Sequence, residues 1–436
     1  MEWWLVLIVV FGSVVLLLAA GFPVAFAFLL INIVGAEFLQ GGGRAFHQLI
    51  LSVYSSVTSF GLLPIPLFVL MGEILWHSNI ATRALGAMDK LLGRVPGRLS
   101  FLTVISGTVF AALSGSTMAN TAMLGSMLLP DMKRRGYAND LSMGPVMASG
   151  ALAMLIPPSA LAVVFAAVAK VSIGKLLVAL IVPGLMLAAF YAIYIVVRAT
   201  RDPTAAPAYA VDEATAREKW MGVLFYVAPL SIIVFLVVGV IFLGVATPTE
   251  AAALGCIGSI VLAAVYRDLN WERFQKALRG TLLISVMMLT IMAGAIGFSQ
   301  LLAYTGASRG LLEFVISFDV SPIILIILMQ MVVLVLGCFM EQIAIMLITL
   351  PIFMPIIKAA GIDPIWFAVI TLINLEIGLM TPPFGLLLFV MQGVVPDVKM
   401  KAIYMAALPF VLIDIAAIGV LMVFPDIAMG LTRLVS

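Results

Sequence analysis

The sequence predicts an all-α polytopic membrane protein with an inverted-topology repeat, about ten membrane-spanning helices, two re-entrant hairpins and two discontinuous helices. Hydrophobic residues make up 64% of its 436 positions and charged residues only 10%, which no soluble globular surface tolerates. Apolar stretches of spanning length recur along the chain, and prolines recur at a fixed offset between its halves. The lipid bilayer is therefore an expected partner, and the lack of a basic stripe argues against nucleic acid.

The individual spans follow from length, because a helix that crosses about 30 Å of hydrocarbon needs roughly 20 apolar residues. The stretches that qualify are 3–20, 22–40, 60–78, 140–169, 176–198, 220–243, 247–266, 281–302, 364–392 and 402–424. The mixed segment Asn270 to Gly280 is expected to be an interfacial helix or an ordinary loop. The polar segment 201–219 is expected to link a first half, 1–200, to a second half, 220–436.

Two further apolar regions, 99–132 and 322–357, do not fit a single span. Each is long enough for two passes of roughly 15 residues, which reach only about 22 Å. We expect re-entrant hairpins with tips near Ser114 to Ser116 and near Gly337 to Met340, where small residues allow a tight turn. Two full spans joined by a tight turn are the alternative.

The distribution of basic residues favours the hairpins. If both regions return to the side from which they enter, 17 of the 23 Lys and Arg residues lie on one side of the membrane. The positive-inside rule makes that side cytoplasmic. The linker 201–219 would then be cytoplasmic, both termini periplasmic, and the two hairpins would enter a bacterial inner membrane from opposite faces.

An internal repeat supports the same arrangement. At an offset of 225 residues, Pro23 aligns with Pro248, Pro130 with Pro355, and Pro157-Pro158 with Pro382-Pro383. Chance would match roughly 0.5 proline pairs at one offset, so four matched pairs indicate a true repeat. Because each half contains five predicted spans, the second copy must be inverted.

The tandem prolines fall within 140–169 and 364–392 and should break both helices in the membrane, since they remove backbone donors and restrict the preceding residues. The breaks leave carbonyl groups without helical partners where bulk water is absent. These carbonyls, with oxygens at the two hairpin tips, could form two equivalent sodium sites. A proline kink relieved by neighbouring polar groups is the alternative. The break carbonyls belong to Ala153, Ile156, Pro157, Gly378 and Thr381, and the tip oxygens to Ala111, Ser114 and Gly337.

New half-helices begin beyond each gap, and their N-termini offer free N–H groups and a positive dipole end to an anionic solute. These N-termini lie near Ser116, Thr117, Ser159 and Phe384. Asn120 continues the polar face of the first tip, while Glu341 stands at the position equivalent to Ser116. Glu341 could order the second tip, titrate or contact a polar substrate group, and a buried acid paired within the bundle explains it equally well.

The sequence contains no phosphate-binding loop, nucleophile elbow or metal-ligand cluster. We therefore expect neither an enzyme nor ATP-driven transport. No cofactor is expected, and an ion gradient should supply the driving force.

Four segments resemble the large membrane subunit of tripartite ATP-independent periplasmic (TRAP) transporters, and the likeness covers essentially the whole chain. The segments are LSGSTMANTAMLGSMLLPDMKRRGY (113–137), MLIPPSALAV (154–163), ITLPIFMPIIKAAGID (348–363) and INLEIGLMTPPFG (373–385). The resemblance implies a secondary active transporter subunit that imports an organic anion, often a carboxylate or sialic acid, with sodium by an elevator mechanism. It also implies a periplasmic solute-binding protein and a separate small four-helix membrane subunit as partners.

The resemblance also carries the family's sodium sites onto this sequence. They comprise Ala111, Ser114, Ala153, Ile156 and Pro157 at one site, and Gly337, Gly378, Thr381 and Phe384 at the other. Relatives often have glycine where this chain has Ala153, which leaves the local backbone conformation open. The nearest alternative function is a stand-alone sodium-coupled anion or dicarboxylate transporter without a binding protein. A channel or membrane-embedded enzyme would need a polar pore stripe or a catalytic cluster, and neither is visible.

Overall fold

The computed structural model describes residues 2–93, 95–114, 116–209, 215–318 and 320–434, and their regular secondary structure is entirely helical. Within these ranges, seven helices are long and apolar enough to cross a membrane. They are Phe60–His77, Ile173–Arg201, Ala216–Phe242, Pro248–Val265, Trp271–Tyr304, Gln342–Ala359 and Met400–Val423. The predicted class of an all-α, multi-pass membrane protein is therefore confirmed.

Six of these seven helices coincide with predicted spans, and the differences are local. Helix Trp271–Tyr304 has 34 residues, so segment 270–280 is neither a separate interfacial helix nor a loop. That prediction was wrong because polar residues in WERFQKALRG were taken as a boundary, although none of them breaks a helix. The first two helices, Trp3–Ala19 and Val24–Phe38, have 17 and 15 residues and are shorter than the stretches predicted for them.

Both regions predicted as hairpins consist of two helices joined by a short turn. We call Arg98–Ser114 and Thr117–Arg134 the first hairpin, and Pro322–Gly337 and Gln342–Ala359 the second hairpin. The two helices of each hairpin pack against each other. Their lengths of 16 to 18 residues exceed the predicted 15, and Gln342–Ala359 alone has the length of a span.

Both tandem prolines interrupt a helix, as predicted. The first broken helix runs over Asn139–Ala151 and Ala160–Ala169, with a 3₁₀ turn at Leu152–Met154 before the gap. The second broken helix runs over Pro364–Met380 and Leu386–Val394. The Pro157–Pro158 and Pro382–Pro383 peptide bonds are both cis.

The helices pack into two groups. In the outer group, Pro64–His77 packs against Pro248–Val265 and Trp271–Tyr304, and the latter packs against Val24–Phe38. The inner group contains the two hairpins and the two broken helices, with Ile173–Arg201 and Met400–Val423 packed against the broken helices. Residues 141–166 and 367–380 are buried without exception, so the broken helices form the centre of the inner group.

The predicted linker is attached to the base of the first hairpin as far as the structure describes it; residues 210–214 lie outside the described ranges. The Arg98 guanidinium donates to the Tyr209 hydroxyl at 2.9 Å, and the Arg135 guanidinium lies 3.6 Å from the centre of the Tyr209 ring. Arg98 begins the first hairpin and Arg135 follows its last residue. The contacts of Tyr209 therefore hold the two ends of this hairpin together.

Candidate functional site

The second hairpin and the second broken helix meet through backbone contact between two glycines. A methyl group added to Gly337 would lie 2.8 Å from the Cα atom of Gly378, and one added to Gly378 would lie 2.7 Å from the Cα atom of Gly337. Real Cβ atoms do not approach other atoms so closely, so this contact requires both residues to lack a side chain. The hairpin tip and the helix break are thus brought together.

The remaining residues predicted for the second sodium site lie around this contact. The Thr381 hydroxyl donates to the carbonyl of Ile377 at 2.6 Å, which leaves its oxygen able to accept a further ligand. The Phe384 side chain is 53% exposed, and its ring centre lies 5.7 Å from that of Phe339 at the hairpin tip. The carbonyls of Gly378 and Thr381 accept the N–H groups of Thr381 and Gly385, both at 3.2 Å, so the prediction that the break leaves them without partners was wrong for these two.

The first half has the corresponding arrangement with a more buried break. Ala111, Ala153 and Ile156 are at most 9% exposed, Pro157 is buried, and helix Arg98–Ser114 packs against the Leu152–Met154 turn. The carbonyl of Leu152 accepts the N–H groups of both Leu155 and Ile156, at 3.0 and 2.9 Å. Gly115 and the side chain of Ser114, also predicted here, lie outside the described part of the chain.

A cavity of about 180 Å³ lies between the inner and outer groups, next to both hairpin tips. From the inner group it is lined by Ser116, Thr117, Met118, Pro158, Ala160, Leu161, Glu341, Gln342 and Ile343, and from the outer group by Phe68, Val69, Met71, Glu73, Ile284, Met287 and Met288. Apolar walls with a few convergent polar groups are typical of a small-molecule site.

Two polar atoms of lining residues have no hydrogen-bond partner among the residues that the structure describes. Thr117 Oγ1 and Gln342 Nε2 are unpaired although each residue is only 3% exposed. The two residues are 225 positions apart, and each is the first residue of the helix that follows a hairpin tip. Both atoms are covered by protein and have essentially no accessible surface, so they lie behind the cavity wall rather than in it.

Of the residues predicted to bind substrate, Ser116, Thr117 and Glu341 line the cavity. The Ser159 hydroxyl lies between two lining residues and accepts the N–H group of Ala162 at 3.2 Å, so it caps the helix that starts there. The Asn120 side chain points elsewhere: its amide nitrogen donates to the carbonyls of Gly107 and Ser149, at 3.4 and 3.2 Å. Asn120 therefore ties the two legs of the first hairpin to the first broken helix.

The sequence analysis missed a comparable polar link in the second half. Asn374 Nδ2 donates to the carbonyl and to the side-chain Oε1 of Gln330, at 2.6 and 2.9 Å, and Gln330 Nε2 donates to Thr371 Oγ1 at 2.9 Å. Asn374 and Ser149 are 225 residues apart, so a comparison of polar rather than proline positions would have revealed them. Both links hold a hairpin against a broken helix.

The charge in the cavity is entirely acidic as far as the structure describes its lining. Glu341 is the N-cap residue of helix Gln342–Ala359, and Glu73 belongs to the outer helix Pro64–His77. Glu73 Oε2 lies 3.4 Å from His77 Nε2, one helical turn away and outside the lining. No Lys or Arg residue is among the described lining residues.

A second group of acids is buried deeper in the inner group. The Tyr191 hydroxyl donates to Asp414 Oδ1, and both oxygens of Glu376 lack a hydrogen-bond partner among the described residues. All three residues are 1% exposed. They join Ile173–Arg201, Met400–Val423 and the second broken helix, so they lie behind the sodium-site candidates rather than in the cavity.

A larger crevice of about 840 Å³ lies beyond the first hairpin, on the side of the Lys- and Arg-rich connections. Helix Thr117–Arg134, the start of the first broken helix and residues 393–398 line it. Trp76 lines both this crevice and a small void. Helix Pro64–His77, which contains Trp76, therefore borders the crevice, the void and the cavity. Tyr137 also lines the crevice, and burial raises the pKa of its phenol, which therefore stays neutral.

Sequence comparisons with known proteins all point to one family. The sequence profile of the family described as "Tripartite ATP-independent periplasmic transporter, DctM component" matches residues 11–427. The C4-dicarboxylate TRAP transporter large permease protein DctM of Pseudomonas aeruginosa is 35% identical over 390 residues, which cover 88% of this chain and 89% of that protein. The ectoine TRAP transporter large permease protein TeaC of Halomonas elongata is 30% identical over 420 residues, which cover 96% of this chain and 97% of that protein.

A solved structure shares the fold. The YdaH transporter of Alcanivorax borkumensis aligns with a TM-score of 0.65 over 89% of this chain and 91% of that chain, at 15% sequence identity. At this identity the likeness concerns the fold alone.

Proposed function

Because this chain belongs to the DctM component family of tripartite ATP-independent periplasmic transporters, we propose that it is the large permease subunit of a sodium-coupled importer of a small organic acid. The cavity between the two helix groups carries the proposal. The N-termini of helices Thr117–Arg134 and Gln342–Ala359 both lie at this cavity, and the N–H groups of a helix start suit the oxygens of a carboxylate. Relatives named for C4-dicarboxylates and for ectoine both transport solutes that carry a carboxylate.

Sodium is the proposed coupling ion, carried with the substrate rather than held as a cofactor. One site would use carbonyl oxygens of Ala153, Ile156 and Pro157 with Ala111 and Ser114, and the other would use Gly337, Gly378, Thr381 and Phe384. The contact between Gly337 and Gly378 supports the second site, since it places a hairpin tip beside an interrupted helix. The two ions would neutralise part of the charge that the solute and the acids bring to the cavity.

Transport would proceed by movement of the inner group against the outer group, as in an elevator. The position of the cavity at the boundary of the two groups supports this, because sliding would carry the solute along helix Pro64–His77 toward the crevice. In this arrangement the chain lies in the bacterial inner membrane as an inverted repeat with periplasmic termini. A periplasmic solute-binding protein would load the cavity, and a small four-helix membrane subunit would stabilise the outer group.

The proposal is tested by reconstituting the permease in liposomes with a small membrane subunit and a periplasmic binding protein from the same organism. We expect uptake of the solute that the binding protein carries only when sodium is higher outside than inside. Uptake without the binding protein would identify a stand-alone transporter instead. Uptake that is unchanged when potassium replaces sodium would contradict the proposal.

The buried, unpaired hydroxyl of Thr117 beside the cavity gives a specific prediction. The isosteric change Thr117→Val should leave the melting temperature unchanged or slightly higher, because it removes a buried group without a partner. Solute affinity should stay close to that of the wild type, since the covered hydroxyl does not touch a solute in the cavity. Thr349→Val is the matched control, because the Thr349 hydroxyl is buried in the second hairpin and bonds only the carbonyl of Ile345. A melting temperature of Thr117→Val below that of Thr349→Val would contradict the prediction.

A further inference from the structure

The outer helices that border the cavity carry a single charged residue along it. Residues 60–76 and 280–304 belong to these helices and all lie within the described ranges, and Glu73 is the one Asp, Glu, Lys or Arg among them. Its side chain is 21% exposed and lines the cavity, so a solute there can reach the carboxylate. The rest of these two stretches offers a solute no charge.

Glu73 stands at the end of the cavity nearest the crevice. On helix Pro64–His77, the lining residue Val69 precedes it by about one turn, and Trp76, which borders the crevice, follows it by about one turn. Sliding of the inner group toward the crevice would therefore bring a bound solute closer to Glu73. Glu341, the other acid of the lining, belongs to the inner group and would move together with the solute.

The Glu73 carboxylate packs against a glycine of the facing outer helix. A methyl group added to Gly280 would lie 2.7 Å from the carboxyl carbon of Glu73, so a residue without a side chain is needed to make room for it. His77 Nε2 lies 3.4 Å from Glu73 Oε2 and adds positive charge only when it is protonated. Lys276, one turn before Gly280, pairs with Glu272 at 2.7 Å. Among the described residues, Glu73 thus has no Lys or Arg partner that would cancel its charge.

Resting on the proposed function, we propose that Glu73 repels the organic anion at the crevice end of the cavity and thereby promotes its release. Like charges repel more strongly as their distance falls, and more strongly in surroundings of low polarity such as this largely apolar lining. Beside the uncharged stretch 60–72 of the same helix, the anion would meet no such charge. Binding is therefore weaker at the end toward which the inner group carries the solute.

Charged thiol reagents measure this repulsion directly. Ile284 and Met287 line the cavity about 6 and 10 Å along their helix from Gly280, which contacts Glu73. Each is changed to cysteine in the full-length permease after both native cysteines are replaced by alanine. Its reaction rate with anionic sulfonatoethyl methanethiosulfonate is divided by its rate with the cationic trimethylammonioethyl reagent. Glu73→Gln should raise this ratio about tenfold in Ile284→Cys and by less in Met287→Cys, because the repulsion falls with distance.

Two further variants control the measurement. Glu73→Asp keeps the charge and should keep the wild-type ratio, whereas a merely structural role of Glu73 would change both rates together. Glu272→Gln removes an exposed carboxylate about 18 Å along the helix from Ile284, well beyond the screening length of about 8 Å at physiological salt. It should leave the ratio in Ile284→Cys unchanged.

A ratio that Glu73→Gln leaves unchanged or lowers overturns the inference. So does an effect in Met287→Cys as large as that in Ile284→Cys, and so does an Ile284→Cys variant that reacts with neither reagent, since small ions would then not reach this end of the cavity. If Glu73→Gln fails to fold, Glu73→Met replaces it with the same expected result. The proposed function fails separately: uptake that ignores sodium refutes it and leaves these ratios as they are, because the reagents need neither a sodium gradient nor a solute.

Discussion

Replacing Gly378 with alanine is expected to abolish sodium-dependent uptake and to lower the melting temperature of the purified protein. The added methyl group would lie 2.7 Å from the Cα atom of Gly337 and 3.1 Å from its carbonyl carbon. Both are backbone atoms of a buried helix end, so no side-chain rotation relieves the clash. Overpacking of this kind typically costs about 1–3 kcal/mol, and here it also separates the carbonyl groups proposed to bind sodium.

Gly419→Ala is the matched control for this change. Gly419 lies in helix Met400–Val423, and a methyl group added there would meet no atom within 4 Å. Alanine at an open helical position stabilises by about 0.5–1 kcal/mol, so this variant should melt at the same or a higher temperature with normal uptake. Wild-type uptake by Gly378→Ala would show that the second hairpin tip and the second broken helix do not meet as described.

Replacing Asn374 with leucine should give the second large effect, on stability rather than on sodium dependence. The change removes the bonds to Gln330, and it leaves Gln330 Oε1 without a partner in a residue that is 8% exposed. Hydrogen bonds between membrane helices contribute only about 0.6 kcal/mol on average. The stranded acceptor adds about 1–3 kcal/mol, so we expect a total of about 2 kcal/mol.

The double variant Asn374→Leu with Gln330→Leu distinguishes the two contributions. Removing both partners leaves no stranded acceptor, and the Thr371 hydroxyl keeps its bond to the carbonyl of Phe367 at 2.8 Å. The double variant should therefore melt above the single variant Asn374→Leu. If the double variant is instead the less stable of the two, packing rather than the unpaired oxygen explains the loss.

The hydrophobic pattern and the prolines predicted most of the fold. Runs of about twenty apolar residues located six continuous helices, and the tandem prolines located both breaks, because length and a missing N–H group are local properties. The polar residues in its first turns led to a predicted start for helix Trp271–Tyr304 that is too late in the sequence. A helix can extend beyond the hydrocarbon layer without ending. The lengths of the hairpin legs were underestimated for the same reason.

The candidate site was predicted in part. The small residues at both tips and the offset of 225 predicted that Ser116, Thr117 and Glu341 stand at equivalent, polar helix starts, and the structure places them around one cavity. The contributions of Met287 and Met288 could not be predicted, because they depend on how the outer group packs against the inner one. The link from Asn374 to Gln330 was missed because neither residue lies near a proline or a tip.

The account depends on both hairpin tips sharing one cavity that responds to sodium. Ser116→Cys and Glu341→Cys, introduced separately after Cys256 and Cys338 are replaced by alanine, allow the modification rate of each tip by a small thiol reagent to be measured in proteoliposomes. Sodium, compared with choline, is predicted to slow modification at both positions over the same concentration range. Modification at one position that ignores sodium, while the other responds, would contradict the shared cavity.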